Sequence, residues 1–336
     1  MSKFLLCRPI GGLNDTLNQI ELCWRYAEAF HRYLLIDTRK SGFGVHLSTY
    51  FRTIGTGSSI DVDTAPDEEI LRRVNLLECS PPEMSGRLVT YTSVADHDRR
   101  VFVDTDSRTP LTFNFRHDHS AQVLLHEQAG SGNLSLDALA RLRLHDRVRS
   151  EIRSRIGDFP PDRIAVHVRN TDIKTNYDPL FARLAAKYPT DPILVCTDDT
   201  SVLRRAKDVF GDARVITSSI PPDLSGRPLH HELTLAPENR DTLNIDMFTD
   251  LFALATSRHL FFTATKTGKI SGFSQLAWHL HNNASFCHAV LSDSDKEAAN
   301  QFERVSELRR TLPSSVRLAR YRNKLKSLVS SPRTSR

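Results

Sequence analysis

From residue 160 onward, short apolar runs alternate with stretches of helical period, and this alternation constrains the fold more than any other feature of the chain. Strands are predicted at Ile164–Val168, 193–196, Val215–Ile216 and 260–263, and helices at 200–210, 241–256 and 273–281. Strands separated by helices of about 10–15 residues predict a parallel sheet covered on both faces. The start of the chain has the same unit. Phe4–Cys7 reads as a strand, Leu13, Leu17, Ile20, Trp24 and Ala27 mark one apolar helix face, and 34–36 resumes a strand ending at Asp37. Residues 40–130 are rich in Gly, Ser, Pro and Asp, with strand-like pieces at 89–91 and 101–103. The apolar spacing over 134–156 predicts one long amphipathic helix, stopped by Gly157 and followed by a Pro160-Pro161 hinge. No repeat of fixed period occurs. The expected organisation is an N-terminal α/β lobe over 1–157, a second α/β lobe over 158–300 and a tail over 301–336.

Charge separates the tail from the body. Residues 301–336 hold ten Lys/Arg against two Glu, whereas the first 300 hold 35 basic and 38 acidic side chains. The body shows no aromatic-interleaved basic stripe, so nucleic acid is not an expected partner. In the tail, Leu318, Tyr321, Leu325 and Leu328 share one helical face ringed by Arg and Lys, the pattern of a peripheral contact with an anionic membrane. No apolar run is long enough to span a bilayer, and the run before Arg8 is too short for a signal-peptide core. Five scattered cysteines with no CxxC spacing predict neither a disulfide framework nor a zinc site. A cytoplasmic location with reduced thiols is expected.

In open α/β sheets ligands bind beyond the carboxyl ends of the strands. Four such places carry unusual residues. The first is Pro9-Ile-Gly-Gly-Leu-Asn14, where Gly11 and Gly12 let backbone N–H groups approach a phosphate at a helix start and Asn14 follows; a tight turn accounts for the glycines equally well. The second is the predicted buried strand that carries His167 and Arg169 and runs into Asp172. Such groups are costly there unless they meet a ligand or each other. A guanidinium fork suits a diphosphate without a metal. The third is Asp198-Asp199, one of which is expected to cap the next helix. The fourth pairs Asp246, a carboxylate in a mostly apolar helix, with the Ser271–Gln275 turn that opens the last predicted helix. Capping alone would also explain Ser271. Thr267-Gly-Lys-Ile270 lacks the residues of a P-loop, and the acidic pairs Asp61/Asp63 and Asp104/Asp106 are weak candidates for metal ligands.

Together these pieces resemble the superfamily of nodulation-factor α1,6-fucosyltransferases, animal core α1,6-fucosyltransferases and protein O-fucosyltransferases. Gly11-Gly-Leu-Asn-Asp-Thr-Leu-Asn-Gln19 is similar to its glycine-rich first loop, and His167-Val-Arg-Asn-Thr-Asp172 to its H-V-R-R-T-D signature. Thr197-Asp-Asp199, the Asp246 helix and Ser271-Gly-Phe-Ser-Gln275 follow in family order. The resemblance implies a GT-B-like fold of two Rossmann-type lobes with parallel sheets. It also implies GDP-fucose as donor, a glycan hydroxyl as acceptor, inversion at the sugar carbon, and neither metal nor further cofactor. By position, Arg169 would hold the β-phosphate with Gly11, Gly12, Ser274 and Gln275, and Asp246 would read guanine near His167. The core subfamily places Lys directly after the signature Asp and Glu four residues later. Here those positions are Ile173 and Tyr177, and a one-residue shift assigns the roles to Lys174 and to Asp178 as base. Another GDP- or UDP-sugar as donor, or a non-catalytic glycan- or nucleotide-binding relative, would share these features.

Overall fold

In the computed structural model the described residues are 3–54, 60–130, 132–171, 174–220, 237–265, 268–294, 296, 297 and 300. The tail 301–336 and Asp172 lie outside them. The first half runs β1 (Phe4–Cys7), α1 (Leu13–Phe30), β2 (Tyr33–Ile36), β3 (Phe51–Thr53), β4 (Val62–Asp63), α2 (Glu68–Asn75), β5 (Cys79–Ser80), β6 (Ser93–Asp96), β7 (Val101–Asp104), β8 (Val123–His126), α3 (Ser135–Arg141), β9 (Leu142–Leu144) and α4 (Asp146–Gly157). The second half runs β10 (Ile164–Val168), α5 (Asp178–Lys187), β11 (Ile193–Thr197), α6 (Thr200–Phe210), β12 (Val215–Ile216), α7 (Pro237–Ala255), β13 (His259–Phe262), α8 (Gly272–His281) and α9 (Ala284–Leu291).

Two parallel sheets result, in the orders β4-β2-β1-β8-β5 and β12-β11-β10-β13. Strand alternation explains the packing of the second. Ile164, Val166 and Val168 pack with Phe181 and Leu184 of α5 and with Val202 and Ala206 of α6. Ala165 and Leu194 join the core containing Leu251 and Phe252 of α7 and Leu276 and Leu280 of α8. His167 therefore projects from the face that α8 covers. The same core continues into the first half. Phe248 of α7 lies 5.9 Å from Phe43 and 5.5 Å from both Tyr50 and Phe51, ring centre to ring centre. The Asn244 amide donates to Phe43 O and the Tyr50 hydroxyl at 3.0 Å each. Helix α7 thus packs against both halves of the chain.

The expected single helix over 134–156 is broken into α3, β9 and α4. Residues 142–144 pair antiparallel with β3, and the fully buried Arg143 donates to the carbonyls of Ala289 (2.6 Å) and Val290 (3.0 Å) at the end of α9. Tertiary partners override the helical period there. The piece at 89–91 is a turn with Val89 exposed, whereas 101–103 lies in β7 as expected. Strand β8, hidden in the irregular 40–130 region, sits inside the first sheet between β1 and β5. The five cysteines are free and buried. Among the described residues no helix is long and apolar enough to cross a membrane.

Candidate functional site

The loop after β1 turns sharply into α1. Gly11 has φ +102°, a conformation that favours glycine, and Gly12 starts α1 with no side-chain cap. The first-turn N–H groups of α1 therefore form an uncapped positive helix end. Asn14, in that turn, is 3% exposed, and its amide Nδ2 and Oδ1 have no hydrogen-bond partner among the described residues. Across from it begins α8: a Cβ placed on Gly272 would come 2.9 Å from Asn14 Nδ2 and 3.2 Å from its Cβ. The two sheets' first and last motifs thus meet at their helix starts.

Ser271 caps α8 by accepting the Ser274 N–H at 3.1 Å, and its hydroxyl lies 2.9 Å from the Ser274 hydroxyl. Ser274 Oγ in turn lies 2.6 Å from His167 Nδ1. The chain Ser271–Ser274–His167 orients the imidazole, and burial pushes its pKa down to about 4, so it is neutral near pH 7. Its Nε2 makes no hydrogen bond among the described residues. The two serine hydroxyls, expected to face an anion, are instead engaged inside the protein and position His167. Gln275 sits in the same helical turn, its amide donating weakly to Ile270 O at 3.4 Å.

Arg169 follows β10 and pairs with Asp198, which follows β11, at 2.8 Å. The same carboxylate accepts the Asn170 N–H at 2.9 Å and the Thr171 hydroxyl at 2.6 Å. Asp198 is thus a clamp on the Arg169 loop rather than a free donor-binding group. Asp199 is the helix cap: it accepts the Ser201 N–H at 2.8 Å and the Asn170 amide at 2.8 Å. Lys174 donates to Asn170 O at 2.6 Å, which folds it back onto the same loop. Asp178 stands apart. It heads α5 on an exposed ion pair with Arg205 of α6 at 2.8 Å, because the two helices pack side by side on the outer face of the sheet. This position replaces the expectation that Asp178 faces the acceptor.

Asp246 is also placed differently from expectation. It forms an ion pair with Arg155 of α4 at 2.5 Å, so the donors its carboxylate requires come from the protein. One turn on, Asp250 takes the Ser218 hydroxyl, near the carboxyl ends of β11 and β12, where Ser218 also lies 3.7 Å from Cys196 Sγ. Burial pushes the Asp250 carboxyl up to about 7. Sequence reasoning passed over Asp250 because both carboxylates share the helix and only tertiary contacts distinguish them. Of the weak metal candidates, Asp104 is fully buried on Arg87 at 2.9 Å, and Asp106 pairs with the same guanidinium at 2.6 Å. Among the described residues no group of three or more His, Cys, Asp or Glu is placed to hold a metal ion.

No family model and no curated protein matches the sequence. Solved structures do. The chain is similar to the fucosyltransferase NodZ from Bradyrhizobium, with a TM-score of 0.55 and 18% identity over 83% of this chain and 94% of that one. A NodZ α1,6-fucosyltransferase co-crystallised with GDP matches with a TM-score of 0.53 at 18% identity, covering 83% and 93% of the two chains. One soaked with GDP-fucose matches with a TM-score of 0.55 at 17% identity, over 83% and 93%. The chain therefore shares its GT-B-type α/β fold with the fucosyltransferase NodZ.

Proposed function

We propose that the chain transfers fucose from GDP-fucose to a glycan hydroxyl, with inversion and without a metal. The observation that carries this reading is the unpartnered Asn14 amide at the uncapped start of α1, set against the start of α8, with Arg169 acting electrostatically on Asp15 of the same turn. The fold shared with NodZ, whose structures include GDP and GDP-fucose complexes, supports it.

Departure of GDP develops negative charge on the β-phosphate oxygen, and preorganised donors there lower the barrier. Arg169, held by Asp198, supplies a fixed guanidinium, and the α1 start with Gly11, Gly12 and the Asn14 amide supplies neutral donors. Neutral His167 lines the same place. For reading the guanine ring we assign Asp250 in place of Asp246, since Asp250 stands near the carboxyl ends of β11 and β12. Guanine offers N–H donors to a carboxylate, and uracil entering the same site leaves it imperfectly paired. The sequence character of the tail supports a cytoplasmic enzyme resting on an anionic membrane face.

Calorimetry with GDP and UDP, together with GDP release from GDP-fucose in EDTA, tests the reading. GDP should bind far better than UDP, release should survive chelation, and Arg169→Ala should lower it about 10²-fold. Equal affinity for the two nucleotides, or loss in EDTA that manganese restores, would overturn the donor or the metal-free chemistry.

A further inference from the structure

Among the described residues, the carboxylates around this cleft are engaged, with one exception. Asp198 holds Arg169, Asp199 holds Ser201 and Asn170, Asp246 holds Arg155, Asp250 takes Ser218, and Asp178 is turned outward onto Arg205. Asp15 makes no hydrogen bond or ion pair among the described residues. It stands in the first turn of α1, directly after the Gly11-Gly12 loop. Its carboxylate folds back over that loop: a Cβ on Gly11 would lie 2.9 Å from Asp15 Oδ2.

The charges that act on Asp15 come from the opposite half of the molecule. Arg169 follows β10, and Lys269 lies on the loop between β13 and α8. Helix α8 itself meets this turn through Gly272, which carries no charge. Asp15 is therefore a partly buried, uncommitted carboxylate opposite the guanidinium assigned to the departing diphosphate. Burial raises its pKa, and the two cations only partly offset that rise. A base whose pKa is drawn toward the working pH removes a proton better than an ordinary surface aspartate. A carboxylate serving only the helix dipole would need neither this seclusion nor this position.

We propose that Asp15 is the general base that takes the proton from the acceptor hydroxyl as its oxygen bonds to the fucose anomeric carbon. In the same step the bond from that carbon to the β-phosphate oxygen breaks, and its electron pair leaves with GDP. The proton stays on Asp15 and passes to solvent after the product leaves. This assignment rests on the donor reading above, and Asp15 is a catalytic residue in that reaction.

The test follows GDP release from GDP-fucose across a pH series, with water and then with azide as the acceptor. Azide is already an anion and needs no base. Asp15→Asn should lose about 10²-fold or more of water-driven release, the scale of a missing general base. Its GDP binding by calorimetry should hold or tighten, since a negative charge beside the phosphates is gone. Azide should restore release and yield fucosyl azide, the pH dependence carried by the base should flatten, and Asp15→Glu should recover part of the rate. Water-driven release equal to wild type in Asp15→Asn would overturn the assignment. So would an equal loss with water and azide, which is the signature of a structural role at the helix start. If wild-type protein binds no GDP, the donor reading and the base assignment fall together.

Discussion

The Asn14 amide is the most revealing single group to perturb, because stability and binding should move in opposite directions. Both of its polar atoms are buried, and neither finds a partner among the described residues. An unsatisfied buried donor or acceptor costs about 1–3 kcal/mol. Asn14→Ala removes two such atoms together with their van der Waals contacts against Gly272, and these terms oppose each other. A net gain of about 1 kcal/mol in the ligand-free protein is expected, a rise of about 2 °C in Tm for a chain of this size. Nucleotide binding should respond the other way. If the amide meets a diphosphate oxygen, losing a hydrogen bond to a charged group costs about 1.5–3 kcal/mol, or roughly 10–100-fold in Kd for GDP. Thermal melts without ligand and calorimetric titration with GDP measure both quantities on one preparation. A variant that is less stable yet binds GDP as wild type does would show that Asn14 is a packing residue.

Three further outcomes follow from the same geometry. Gly272→Ala should cost about 1–3 kcal/mol despite the usual helical preference for Ala, since its methyl would meet Asn14 at 2.9 Å, and Asn14→Ala should relieve part of that cost in a denaturation cycle. His126, fully enclosed between Gln19 and Thr112, has its pKa pushed down to about 3 by burial. The unfolded chain takes up that proton first, so stability is fully present above about 6.5 and is lost as pH falls toward 3. His126→Asn should flatten the acid-unfolding slope by about 1.4 kcal/mol per pH unit in that window. Deleting residues 313–336 should abolish salt-sensitive sedimentation with anionic vesicles while leaving GDP binding intact; identical partition of the two proteins would leave the tail without a membrane role.

Much of the second half was legible in the residues themselves. Runs such as Ile164–Val168 are apolar save for His167 and buried on both faces, as a central parallel strand must be, and the strands and helices expected around it are present. His167 and Arg169 stood out because their burial costs free energy unless partners exist, and the structure supplies Ser274 and Asp198 as those partners. Gly11 and Gly12 announced a special turn, and the φ of Gly11 bears that out.

What sequence alone did not determine were the pairings. The apolar period over 134–156 suits one helix, yet contacts of β9 with β3 and of Arg143 with α9 break it. Strand β8 is only four residues long, and its place beside β1 is set by a partner more than a hundred positions away. Asp246 and Asp250 are equivalent as letters on one helix; Arg155 neutralises the first, and the surrounding protein raises the pKa of the second. Asp178 satisfied a spacing but faces Arg205 on the outer surface, while Asp15, overlooked as part of a loop motif, is brought opposite Arg169. Local period and burial cost act over a few residues and are written in the chain. Which charge meets which is decided by packing between distant segments, and only the tertiary structure sets that.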